Sequence, residues 1–187
     1  ALYDDVKFNY YRSPRRAGTY SMVHHVQDNE TALQKAYTLS IKPTNLPETL
    51  QNKAVIVSVN SKGIQAYEGG SYKNGWVTAQ LKTFGSFVVG VDTVAPRLKP
   101  TFVASDKENV DLRKAKIIGI KAKDNLSGIK KYRVTIDGSW VLCEYEAKQD
   151  LLFYTFDNKI TSGRHNYSIE VTDDKNNVAR WSCKFIR

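Results

Sequence analysis

Residues 54–60 read Ala54-Val55-Ile56-Val57-Ser58-Val59-Asn60. Val55, Val57 and Val59 recur at every second position, so they share one face of an extended strand. Tyr167-Ser168-Ile169-Glu170-Val171-Thr172 repeats the pattern in the other half of the chain, with Tyr167, Ile169 and Val171 on one side and Ser168 and Glu170 on the other. The composition extends this reading to the whole chain. Val, Ile, Thr, Tyr, Phe and Trp supply 62 of the 187 residues, whereas Ala, Leu and Met supply 26. Branched and aromatic side chains suit a pleated, half-buried surface, so a mainly helical fold is excluded. A hydrophobic content of 41% fills a core and argues against wholesale disorder. No apolar run approaches the ~18–20 residues that span a bilayer.

Turn signals recur at the spacing of a β-sandwich. Extended runs are expected at 5–11, 20–26, 37–42, 54–60, 64–67, 75–81 and 86–92. In the second half they are expected at 97–103, 116–122, 130–136, 139–145, 151–156, 165–172 and 178–186. Asp137-Gly138 and Asn74-Gly75 are hairpin signals, because a type I′ turn needs positive φ at both central residues. Asp173-Asp174-Lys175-Asn176-Asn177 reads as the turn between the last two strands. Asp28–Ala36 is the one segment with a short helical stripe (Ala32, Leu33, Ala36), and it reads equally as a loop turn. Pro96 restricts its own backbone and that of Ala95, which places the domain boundary within Val91–Pro96. The expected architecture is all-β: two tandem immunoglobulin-like antiparallel β-sandwiches, residues 1–93 and 94–187. Gly63…Tyr67…Trp76-Val77 and Gly128…Tyr132…Trp140-Val141 form a faint internal echo consistent with two related sandwiches.

The net charge is +9. The clusters Arg12/Arg15/Arg16 and Lys114/Lys116/Lys121/Lys123 allow a polyanion partner. They also fit an ordinary solvated face, and lysines alternating along a strand guard an exposed sheet edge. Cys143 and Cys183 lack metal-site spacing. They read either as a disulfide between strands or as two separate buried thiols, with the second favoured. The chain starts at Ala1 with no signal-type segment after it, so a processed product or a piece of a longer protein is expected.

No reaction is written in the residues. His24 and His25 are adjacent, so on a regular strand they face opposite ways and cannot share an ion. His165 is far away in sequence, and no H-E-x-x-H or H-x-H is present. There is no G-x-S-x-G elbow. Asp4/Asp5 and Asp173/Asp174 read as terminus and turn chemistry, although Asp124, Asp173 and Asp174 could supply oxygens to a calcium ion. Gly69-Gly70 lacks the Lys-Ser/Thr and helix of a phosphate loop. Tyr10, Tyr11, Tyr67, Tyr72, Trp76, Trp140 and Trp181 are stacking candidates, most of them expected in the core. Tyr72 is the one expected to be exposed. No catalytic, cofactor or metal residue is assigned.

Several longer strings carry a resemblance. Phe84-Gly85-Ser86-Phe87-Val88-Val89-Gly90-Val91-Asp92-Thr93-Val94-Ala95-Pro96 resembles a phrase in the C-terminal region of Bacteroidetes lysostaphin-type (LytM-like) zinc metallopeptidases. Asp124-Asn125-Leu126-Ser127-Gly128-Ile129, Ile136-Asp137-Gly138-Ser139-Trp140 and Val171-Thr172-Asp173-Asp174-Lys175-Asn176-Asn177 are similar to its continuation. The likeness covers residues 54–187 well and 1–53 poorly. None of the family's zinc-binding positions has a counterpart here. The resemblance therefore implies a non-catalytic accessory region of a cell-envelope peptidoglycan peptidase. Its partners would be an upstream catalytic domain and, in addition, wall polymer or a surface protein; no specific nucleic acid and no cofactor are expected. The competing expectation is a free-standing, adhesin-like surface module that binds carbohydrate or protein.

Overall fold

The computed structural model describes residues 7–60, 62–63, 65–102 and 108–187. The expected runs at 5–11, 64–67 and 97–103 therefore fall partly outside the described residues, and Asp4 and Asp5 fall wholly outside them. The chain divides into two compact units, Ala1–Thr93 and Val94–Arg187. Both are β-built and sandwich-like, and no helix among the described residues is long and apolar enough to cross a membrane.

Unit 1 stacks two sheets. β1 (Tyr10–Ser13), β2 (Val23–Val26), β4 (Ala54–Val59), β5 (Gln65–Tyr67) and β8 (Gly85–Val91) form one, in the order β1-β2-β8-β4-β5. β3 (Tyr37–Ile41), β6 (Ser71–Lys73) and β7 (Trp76–Leu81) form the other, in the order β3-β7-β6. Ile56, Phe87 and Val89 from the first sheet meet Ile41, Val77 and Leu81 from the second in a core with almost no solvent exposure. The Val55, Val57 and Val59 face is buried too. That is why residues 54–59 are nearly continuously apolar rather than cleanly alternating.

Unit 2 pairs a five-stranded and a four-stranded sheet. β10 (Val110–Asp111), β12 (Ile129–Ile136), β13 (Ser139–Trp140), β16 (Arg164–Asp173) and β17 (Val178–Ile186) run in the order β10-β17-β16-β12-β13. β9 (Arg97–Pro100), β11 (Ile117–Lys123), β14 (Glu144–Glu146) and β15 (Leu151–Thr155) run in the order β14-β15-β11-β9. Pairing is antiparallel except for the two-residue β10 beside β17. Ile118, Ile120, Leu152, Tyr167, Ile169 and Phe185 fill the space between the sheets.

The hairpin readings agree with the backbone. Asn74 and Gly75 have φ of 51° and 85°, and Asp137 and Gly138 have 51° and 78°. One open alternative is decided and two expectations are corrected. Asp28–Ala36 takes the loop-turn form and not the helix. Asp28 Oδ1 accepts from the Glu30 and Thr31 amides and the Thr31 hydroxyl, closing one local loop that does not propagate. The single run at 139–145 is two strands in different sheets, because Cys143 turns into the core while Leu142 turns outward. Lys121 and Lys123 guard no edge, since β11 lies between β15 and β9. β6, β10 and the 3-10 turn at Glu48–Lys53 have no counterpart in the sequence reading.

Candidate functional site

A cleft of about 750 Å³ opens on unit 1. It is built across three strands by register. Tyr11 on β1 lies opposite His25 on β2, and His25 lies opposite Ser86 on β8. Tyr11 stacks on the His25 ring at 4.2 Å between centroids and 11° between planes. His25 Nε2 is 2.8 Å from Ser13 Oγ, and Nδ1 is 2.7 Å from Ser86 Oγ. A hydroxyl can donate or accept, so both contacts suit a neutral imidazole. Burial, and then the nearby Arg16 charge, lower the His25 pKa below its ordinary 6.5.

The rim is polar. Asn9, Gln27, Asp28, Asn29, Asn60 and Glu68 line it. Gln27 adopts a left-handed φ of 52° and exchanges hydrogen bonds with the Asn9 backbone, which fixes the loop that carries Asp28. Phe84 and Phe87 contribute apolar wall and extend into the core. Amide and carboxylate groups around an exposed aromatic can hold a polyhydroxylated ligand, because each hydroxyl both donates and accepts.

The cleft also shows how His25 differs from a hydrolytic histidine. In a Ser–His–Asp arrangement a carboxylate orients the imidazole. Here a second serine hydroxyl occupies that position. His24 faces the other way, as adjacency on a strand requires, and bonds Tyr10 Oη at 2.8 Å. Burial, then Arg12 and His25, lower its pKa as well.

His165 belongs to unit 2. Its Nδ1 lies 2.7 Å from Asp137 Oδ2 and its Nε2 lies 2.9 Å from the Thr161 carbonyl. Both partners only accept, so both ring nitrogens donate and the charged imidazolium is favoured. The Asp137 bond accordingly raises the His165 pKa. Cys143 and Cys183 are buried and not joined in a disulfide, and burial followed by the Glu144 charge pushes the Cys143 thiol up to about 12.

The motifs behind the family resemblance are turn devices. Asp124 Oδ2 accepts from the Leu126 and Gly128 amides. Asp173 is fully buried, and its Oδ1 accepts from the Lys175 and Asn177 amides while Oδ2 accepts from Asn177 Nδ2. Of the three calcium candidates, Asp124 and Asp173 bring carboxylate oxygens within 4.8 Å of one another. Asp174 instead faces Lys130. Gly69-Gly70 runs beside β4, where a Cβ at Gly70 would sit 3.1 Å from the Ile56 nitrogen. Close backbone approach therefore accounts for Gly70, and a left-handed φ of 90° accounts for Gly69.

The aromatic expectations are largely reversed. Tyr72 packs against the unit 1 core, while Tyr10, Tyr11, Trp76 and Trp140 are exposed. Trp76 and Trp140 both follow hairpin turns: Trp76 opens β7 and Trp140 ends the two-residue β13, beyond the packed interior. Trp181 packs edge-on against Phe102 and Tyr167, as expected of a core residue.

Unit 1, which carries the cleft, also has a sequence relationship. Residues 1–92 form a Zu5-like domain. The Zu5-like domain ends one residue short of the unit boundary. No curated protein matches the chain.

Proposed function

We propose that the chain is a binding region without chemistry of its own, and that the cleft of the Zu5-like domain receives a glycan. Its setting in this reading is the accessory part of a cell-envelope peptidoglycan metallopeptidase whose zinc domain lies upstream. The observation that carries the binding reading is the Tyr11–His25 stack ringed by amides and carboxylates. A sugar ring offers an apolar face to an aromatic and hydroxyls to polar neighbours. The envelope setting is supported by the strings in residues 54–187 that resemble the peptidase tail.

The test is a titration of soluble peptidoglycan glycan oligomers into the chain, followed by amide shifts and calorimetry. Shifts at Tyr11, His25 and Ser86, with roughly tenfold weaker binding in Tyr11→Ala, support the reading. Turnover of the oligomers, or shifts confined to other surfaces, overturns it.

The adhesin-like alternative has its own observation. Trp76 is exposed beside Lys73 and next to a hydrogen-bonded Ser40–Thr78 pair. Oligomer shifts centred on Trp76 rather than Tyr11 favour that surface-module reading.

A further inference from the structure

We propose that the exposed face of the β9–β11 pair in unit 2 binds a linear, base-free phosphodiester polymer through Arg97, Lys99, Lys121 and Lys123. The register places Lys121 directly opposite Lys99 and Lys123 directly opposite Arg97. All four side chains are exposed and line one recess of about 360 Å³. They make a two-by-two grid, ~5 Å across the strands and ~7 Å along them.

Opposed like charges destabilise a sheet. Edge protection can account for Arg97 and Lys99 on the terminal strand β9, but not for Lys121 and Lys123 opposite them, because β11 is an interior strand. Among the described residues none of the four has an ion-pair partner. Elsewhere in the same unit Arg113, Lys130, Arg180 and Lys184 each have one. A concentrated cationic grid whose members form no ion pair is suited to an anionic ligand. Lysine binds phosphate as a point charge, and Arg97 adds one bidentate fork.

The rest of the face selects the kind of polyanion. Lys99 and Lys121 continue across the sheet to Leu151 and then Glu146. Glu144 and Glu146 make β14 acidic, and Asp150 borders the recess. A flat anionic membrane would meet those carboxylates, whereas a narrow chain lies along β9 and β11 alone. The exposed aromatics of unit 2 lie off this face: Trp140 is in the other sheet, and Tyr145 alternates away from Glu144 and Glu146. The ring that does share this face, Phe153 on β15, is half-buried, so single-stranded nucleic acid finds no fully exposed ring here on which to stack its bases.

The experiment titrates the whole chain with poly(glycerol phosphate) by calorimetry, with oligo(dT) and phosphatidylglycerol vesicles as separate arms. Four neutralised phosphates give a salt slope near −3, so raising salt from 50 to 200 mM weakens binding about fifty-fold. Lys121→Gln/Lys123→Gln halves that slope, and Lys99→Gln alone reduces it by about a quarter. Circular dichroism melting of the variants at or above the parent temperature shows that they fold. Absent binding, an unchanged slope in the double variant, or tighter binding of oligo(dT) or vesicles overturns the proposal. Tyr11→Ala leaves this binding unchanged, which separates it from the cleft of unit 1.

Discussion

His25 in the Zu5-like domain and His165 in the second unit are both partly enclosed by strands, yet their pKa values are shifted in opposite directions. His25 touches two hydroxyls, and burial drives it neutral. His165 touches a carboxylate and a carbonyl, and those acceptors hold its proton. Burial alone does not decide the charge of an imidazole; the donor or acceptor character of its neighbours does. The two units follow the same division more widely. Unit 1 surrounds its cleft imidazole with hydroxyls and closes one exposed loop with Asp28, while unit 2 locks its turns with Asp124 and the fully buried Asp173.

The largest effect is expected where that locking is most complete. Asp173→Ala leaves the buried amides of Lys175 and Asn177 without their acceptor. The cost is about 3 kcal/mol, read by denaturant unfolding. Indole signals give each unit its own probe, since Trp76 is the single tryptophan of unit 1. Loss of the Trp140 and Trp181 signals ahead of Trp76 is the expected order. A loss confined to Trp76 would break the division between the units.

A smaller effect is expected at the charged histidine. Asp137→Asn removes the carboxylate that raises the His165 pKa. The raised pKa means that this contribution is fully present below pH 6.5 and fades as pH rises through the folded value. The variant is therefore destabilised by about 1 kcal/mol at pH 6 and by less at pH 9. An equal loss at both pH values would make Asp137 a purely steric turn residue.

How far the sequence shows this division depends on distance along the chain. Local chemistry was legible. Asp137-Gly138 and Asn74-Gly75 announce their turns because left-handed φ is tolerated by few residues. Tyr167, Ile169 and Val171 announce a strand because the period of two is local. Nothing local tells Tyr11, His25 and Ser86 that they share a face, since Ser86 is 61 residues from His25 and register alone joins them. The cationic grid is half legible in the same sense. Lys121 and Lys123 alternate visibly, but Arg97 and Lys99 join them only through the pairing of β9 with β11. Tyr72 packs inward and Trp76 outward against expectation, because a loop-like Gly-Gly context does not reveal which side of a short strand packs inward.

The smallest expected effect concerns the neutral histidines. Burial is the main cause that lowers the pKa of both His24 and His25 from 6.5. Above pH 6.5 the imidazole is neutral in folded and unfolded chains alike, so neither residue makes stability depend on pH there. Below 6.5 the unfolded chain takes up protons that the folded Zu5-like domain resists. Its stability therefore falls from pH 6.5 toward the lowered folded pKa and then levels off. His25→Gln keeps a donor and an acceptor between Ser13 and Ser86 but cannot titrate. In that variant the acid-side decline seen through Trp76 is shallower, by a few tenths of a kcal/mol. Over the same interval the His165 contribution in unit 2 stays at its maximum. If the Trp76 transition instead gains stability on acidification, the folded domain holds histidine protons more tightly than the unfolded chain, and the contrast with His165 disappears.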